Sequence, residues 1–148
     1  MKRAKDIMTV DPVRCSAGTT LDEVAKLMAQ NDCGEIPIVD TSDRPIGVMT
    51  DRDIICRVVA QGKHPGAYTV ETYMTTPVVT VSVDASLDEV VARMEEHQIR
   101  RIPVVDEEGC CAGIIAQADI ALEGPQPRVA ELVRVAELVR EVSRDDSR

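Results

Sequence analysis

Apolar residues along this chain are spaced for helices in some stretches and for strands in others, and the alternation occurs twice. Leu21, Val24, Ala25, Leu27 and Met28 recur at helical intervals, and so do Leu87, Val90, Val91 and Met94. Thr20 and Ser86 stand just before these runs, each with a glutamate three residues on (Glu23, Glu89). That is the spacing of a capping box, so both hydroxyls are expected as N-caps. Asn31-Asp32 closes the first helix. Val13-Arg14-Cys15-Ser16, ahead of it, is short, half apolar and β-leaning. Beyond it, Ile36 to Val39 is a compact apolar strand, Asp40-Thr41-Ser42-Asp43 a turn, and Pro45 to Met49 the returning strand of a hairpin. Pro37 has no N–H to give a ladder, which predicts an edge or a bend rather than a central strand position. A second helix is expected from about Asp51 to Ala60. The order is β-α-β-β-α, an α/β (α+β) pattern.

Shifted by 66 residues, the second half lies on the first without a gap. Met8-Thr9 meets Met74-Thr75, and Leu21-Asp22-Glu23-Val24 meets Leu87-Asp88-Glu89-Val90. Ile36-Pro37-Ile38-Val39-Asp40 meets Ile102-Pro103-Val104-Val105-Asp106, Gly47 meets Gly113, and Asp53-Ile54 meets Asp119-Ile120. The interval is too long for a solenoid, and there are only two copies. A duplicated unit paired face to face about a pseudo-twofold axis is therefore expected, with repeat 1 over 4–60 and repeat 2 over 70–123. Residues 61–69, with Gly62, Pro65 and Gly66, form the linker. In the tail, 124–148, Gly124-Pro125-Gln126-Pro127 stops the preceding helix, and Val129 to Arg134 recurs as Val135 to Arg140. Its apolar arc predicts a C-terminal helix that covers its own domain, or a second chain as well.

Charge and composition narrow the partners. The 148 residues hold 17 Lys+Arg against 26 Asp+Glu, a net charge of −9 that repels nucleic-acid phosphates and anionic membranes. With no Trp or Phe, and only Tyr68 and Tyr73, there is no stacking platform for bases. No apolar run approaches a membrane span, and no apolar stretch of a signal peptide follows Met1-Lys2-Arg3. Neither a nucleic-acid nor a membrane partner is expected, and the expected location is cytoplasmic. Five cysteines at irregular spacings suit reduced thiols there. Together with His64 and His97 they show no metal-ligand spacing, so no metal is expected. No nucleophile elbow, Walker loop or GxGxxG occurs, so no enzymatic activity and no required cofactor are expected.

One stretch gathers the candidate chemistry. Gly47-Val48-Met49-Thr50-Asp51-Arg52-Asp53 runs from a strand into a helix, with Thr50 at the N-cap and Asp53 one turn in. Thr50 and Asp53 have the spacing to cap the helix reciprocally. The same hydroxyl, free amides and carboxylate also suit a phosphate beside a vicinal diol. The two readings share one geometry, and these residues alone leave both open.

With two Ile-Pro-(Ile/Val)-Val-Asp strands and the Gly-x-x-Thr-x-x-Asp segment, the chain resembles a tandem pair of CBS domains, the Bateman module. Its free-standing form and Thr-Asp-Arg-Asp-Ile segment are similar to the small bacterial CBS-pair regulatory proteins of the hypoxic-response type. The resemblance implies two clefts between the repeats and an adenosine nucleotide or related adenosyl ligand in them. It makes Asp53 the ribose acceptor of one cleft, with Thr50 its phosphate-side hydroxyl and Arg52 a phosphate cation. Asp119 is the matching acceptor of the other, where Ala116-Gln117-Ala118 replaces Thr50-Asp51-Arg52. The Asp53 cleft is accordingly expected to be the better site. Arg100 and Arg101, just before the Pro-containing strand, are implied phosphate contacts or a solvated pair; repeat 1 has Gly34 and Glu35 there. His97, near a helix end, is a further phosphate candidate. An adenine pocket would be aliphatic, drawn from Val13, Ile36, Pro37, Ile38 and Met49 on one side and Val79, Ile102, Pro103 and Ile115 on the other. Each of these is also explained by burial in the core.

The functional expectation is a non-enzymatic homodimeric sensor that binds AMP, ADP, ATP or a related adenosyl ligand between the repeats. The alternative is a ligand-free dimeric interaction scaffold of the same fold. The partners expected are the nucleotide, a second copy of the chain, and a further protein whose identity the sequence does not give.

Overall fold

The computed structural model describes residues 1–123, so the expected C-terminal helix over 124–148 lies outside the described residues. Within them, the chain order is α1 (Ala4–Ile7), β1 (Thr9–Val10), β2 (Cys15–Ser16), α2 (Leu21–Asn31), β3 (Glu35–Val39), β4 (Pro45–Thr50) and α3 (Asp51–Ile54). It continues with α4 (Val70–Tyr73), β5 (Val81–Ser82), α5 (Leu87–His97), β6 (Arg101–Val105), β7 (Cys111–Ala116) and α6 (Gln117–Ala121). The strands form two sheets, β2-β3-β4 and β1-β7-β6-β5.

Each repeat builds its own core from the predicted apolar positions. The helix α2 turns Leu21, Val24 and Met28 onto Ile36, Ile38 and Met49 of its sheet; α5 turns Val90, Val91 and Met94 onto Ile102, Val104 and Ile115. Full burial of each Leu, Ile, Val or Met contributes about 1.5–3 kcal/mol. The aspartate ending each apolar strand sets the hairpin. Asp40 Oδ1 accepts from the N–H groups of Ser42 and Arg44 at 2.9 and 3.0 Å, and Asp106 Oδ1 from those of Glu108 and Cys110 at the same two distances.

The first segment of each repeat belongs structurally to the other repeat. Ala4 is fully buried in the second core, with Ala4 and Lys5 donating N–H bonds to Ala85 and Val83 carbonyls (2.9 and 3.0 Å). Val70 is fully buried in the first core, and Val70 and Glu71 donate to Thr19 and Ala17 (2.8 and 3.3 Å). Every residue in the second set lies 66 from its counterpart in the first. Likewise β1 pairs with β7, Thr9 opposite Ile114, while Thr75 bridges Val48 of β4. Reciprocal exchange of this kind requires a pseudo-twofold axis between the repeats.

The exchange explains why glycine stands at Gly47 and Gly113. A Cβ on Gly47 would lie 2.6 Å from Met74 Sδ and 3.1 Å from the Thr75 carbonyl oxygen. On Gly113 it would meet Met8 Sδ, and the Thr9 carbonyl oxygen at 2.9 Å. The crossing backbone sits directly on these strands.

Three local expectations need correction, and three short elements were not foreseen. Pro37 and Pro103 lie in central strands, not edges; the outer parallel strands begin pairing only at Ile38 and Val104, so the missing N–H faces no partner there. The Thr20 hydroxyl does not cap α2 but bonds Asp22 Oδ1 at 2.5 Å, whereas Ser86 caps α5 by accepting from Glu89 N–H (3.2 Å). The helix expected over Asp51–Ala60 is α-helical only to Ile54 and runs on as a π-helical turn, Ile55–Val59, closed by Ala60 N–H to Ile55 O at 2.8 Å. The short pieces α1, β1 and α4 carry too little periodicity to stand out from sequence, because their partners are in the other repeat.

Gly113→Ala should lower stability by about 1–3 kcal/mol in urea denaturation, since rigid backbone as well as Met8 must move. Gly18→Ala is the control: nothing lies within 4 Å of its added Cβ, so it should be neutral or slightly stabilising. Equal effects at the two positions would contradict the exchanged-segment packing.

Candidate functional site

The strand-to-helix turns place Asp53 and Asp119 equivalently, and their surroundings then diverge. At the first turn the capping box is complete. Asp53 N–H donates to Thr50 Oγ1 (3.0 Å) and Thr50 N–H to Asp53 Oδ2 (3.1 Å). The other carboxylate oxygen, Oδ1, faces Arg57 Nη2 at 3.3 Å. Arg57 also donates to Thr75 Oγ1 (2.9 Å) and to the Tyr73 carbonyl (2.6 Å), so it fills the space between Asp53 and the crossing segment. Arg52 is exposed.

At the second turn Ala116 N–H donates to Asp119 Oδ2 at 2.8 Å, and Ala116 has no hydroxyl to return the bond. The residue equivalent to Arg57 is Glu123, which turns away to an ion pair with Lys2. Among the described residues, Asp119 Oδ1 and the Thr9 hydroxyl have no hydrogen-bond partner. Both residues line a cavity of about 380 Å³, together with Asp11, Pro12, Val13, Asn31, Asp32, Cys33, Glu35, Arg101, Ile114 and Ala116.

Arg101 comes to this cavity from the second repeat, and Gly34 makes room for it. A Cβ at Gly34 would lie 3.0 Å from Arg101 Nη1 and 3.2 Å from Asp51 Oδ2. Glu35 is 9% exposed, and burial, partly offset by the Arg101 charge and reinforced by that of Asp53, pushes its carboxyl up to about 7. Desolvation raises the Cys33 thiol, so it stays neutral and adds apolar wall.

Of the ten site residues read from sequence, the structure brings Asp119 and Arg101 to this cavity. Thr50 and Asp53 are held in their own cap with Arg57. Ile36 and Ile102 are fully buried, and Pro37 and Pro103 are buried beside them; none of the four lines this cavity. Arg100 and His97 are exposed, with His97 Nε2 3.8 Å from Glu96. Of the expected adenine wall, Val13 is present. Sequence reading missed Thr9, Pro12, Cys33, Glu35 and Ile114. Ile114 was within reach, because strand alternation that turns Ile115 into the core turns Ile114 outward. Elsewhere, Asp106, Glu108 and Cys110 hold three possible ligand atoms within 4.8 Å of one another, but Asp106 Oδ1 is already engaged by two turn amides.

The burial of Glu35 has a sign that can be checked. Between pH 4.5, its ordinary value, and about 7, the folded protein holds a proton that the unfolded chain releases. Stability from this group is complete below pH 4.5 and is lost as pH rises to about 7. Urea titrations from pH 4.5 to 8 should show wild type losing about 1–3 kcal/mol relative to Glu35→Gln over that window. Parallel curves for the two proteins would remove the buried-carboxylate assignment.

Comparison with known proteins agrees with this architecture. The CBS domain model matches residues 4–60 and 70–124. Hypoxic response protein 1 of Mycobacterium tuberculosis is 35% identical over 134 residues, covering 90% of this chain and 93% of its own. A crystal structure of Hypoxic Response Protein I with two coordinated zinc ions superposes at TM-score 0.77 and 36% identity, over 84% of this chain and all of that one. The CBS domain pair of protein MJ0100, in complex with 5′-methylthioadenosine and S-adenosyl-L-methionine, gives 0.75 and 30% over 82% and 94%. The chain also spans 57% of a longer uncharacterized protein of Methanopyrus kandleri, at 37% identity. With both repeats matched across most of its length, the chain belongs to the CBS domain family as a tandem pair.

Proposed function

We propose that this chain is a non-enzymatic regulatory module that takes an adenosyl ligand, an adenosine nucleotide or a relative of one, in the Asp119 cavity. The observation that carries this reading is that Asp119 Oδ1 and the Thr9 hydroxyl, both without a partner among the described residues, lie on the wall of a cavity of nucleoside size. A carboxylate with an open oxygen accepts both hydroxyls of a ribose, and Pro12, Val13 and Ile114 offer an aliphatic face to a base. The adenosyl compounds bound by the CBS pair of MJ0100 support that ligand class. Sequence reasoning favoured the Asp53 cleft; the geometry favours the reverse. Arg57 already meets Asp53 and Thr75, the counterparts of Asp119 and Thr9, so that half fits the alternative of a ligand-free scaffold.

The chain also presents Ile55 and Val59, 58% and 54% exposed and four residues apart on one helical face. Apolar side chains so placed favour self-association, and we propose a homodimer through this face. Light scattering should give a dimer mass at micromolar concentration, and a monomer for Ile55→Asp/Val59→Asp. A wild-type monomer would end that part of the proposal.

Titration calorimetry with 5′-methylthioadenosine, S-adenosylmethionine, AMP, ADP and ATP tests the site. Asp119→Ala should weaken the tightest ligand by roughly 10- to 150-fold, the value of a charged hydrogen bond of about 1.5–3 kcal/mol. Asp53→Ala should leave affinity within about threefold while costing about 1–2 kcal/mol of stability through the lost cap. The opposite pattern would move the site to the Asp53 cleft.

A further inference from the structure

Glu35 and Arg101 are the same position of the two repeats, 66 residues apart, and both line the cavity, with opposite charge and no ion pair between them among the described residues. Glu35 is nine-tenths buried, lines the Asp119 cavity, and accepts no hydrogen bond among the described residues. Among the described residues the same walls carry Asp11, Asp32 and Asp119, against Arg101 as their one cation. Of these, Asp11 is offset by its ion pair with Arg14. The field inside the cavity is therefore negative.

We infer that the cavity selects adenosyl ligands whose 5′ substituent is uncharged or cationic over those carrying phosphates, and that Glu35 is the residue setting this preference. The inference rests on the Asp119 reading above. With the ribose on Asp119 and the base against Pro12, Val13 and Ile114, the 5′ end is left the polar wall of Glu35 and Arg101. A phosphate there meets one guanidinium and an unpaired carboxylate in a low-dielectric pocket, and each further phosphate adds repulsion. A sulfonium or ammonium group instead supplies the partner that Glu35 lacks. In repeat 2 the equivalent residue is an arginine, so the cation that would welcome phosphate is present once and not twice.

Calorimetry at about pH 8, where Glu35 is ionised, and about 0.15 M ionic strength, so that surface charge is screened, tests this with Glu35→Gln, an isosteric change that keeps the wall's shape. Wild type should bind 5′-methylthioadenosine and S-adenosylmethionine at least about tenfold more tightly than ATP, with AMP between. Glu35→Gln should tighten AMP and ATP by about tenfold, leave 5′-methylthioadenosine within about threefold, and weaken S-adenosylmethionine. If wild type binds ATP as tightly as 5′-methylthioadenosine, or Glu35→Gln leaves the ratio of their affinities unchanged, while Asp119→Ala still weakens binding, the selectivity inference fails and the site stands. If no adenosyl compound binds, or Asp119→Ala binds all of them normally, the site reading fails and takes this inference with it.

Discussion

The structure depends on one reciprocal contact. The segment that opens each repeat crosses to the other, buries Ala4 or Val70 in the other core, and lies on a strand where only glycine fits. Without it β7 has no partner on one side and each core is open at one end. The candidate cavity follows from the same crossing, because the segment that leaves one core and enters the other forms part of its wall. Thr9 and Thr75 reach their sites in this way. The candidate site is therefore made by both repeats and cannot be assigned to either.

Within that symmetric frame, a few substitutions make the clefts unlike. Arg57 in one repeat is Glu123 in the other: the first pairs with Asp53, whereas the second pairs with Lys2 and leaves Asp119 Oδ1 without a partner among the described residues. Thr50 and Arg52, against Ala116 and Ala118, suggested from sequence that the first cleft was the stronger; in the structure Thr50 completes the cap and Arg52 is exposed. The electrostatic balance follows similarly from Glu35 against Arg101, with Gly34 supplying the space for the guanidinium to cross.

Much of the fold was legible in the sequence, because helical and strand periodicities repeat at one offset and the hairpin aspartates announce their turns. Of the candidates, Asp119 followed from the same offset and Arg101 from the family resemblance, and both line the cavity. What was hidden has a common cause. The partners of Ala4 and Thr9, the surroundings of Glu35, and the Tyr73 and Thr75 contacts of Arg57 are distant in sequence, and nothing local marks them. Pro37 misled because a proline rule about ladders applies to paired positions, and its N side is unpaired even in a central strand. Ile36 and Ile102 were offered both as core and as cavity wall, and burial places them in the core.

The opposition of Glu35 and Arg101 also bears on why two copies share one polypeptide. A dimer of identical single repeats would set like residue against like residue on its axis, two acids or two bases, and every site would come in equal pairs. Covalent fusion keeps the crossed-over contacts at high effective concentration and releases each half from being a copy of the other. Only a fused pair can set an acid against a base on its own axis. The linker thus does more than tether: it permits a symmetric body to hold an asymmetric field.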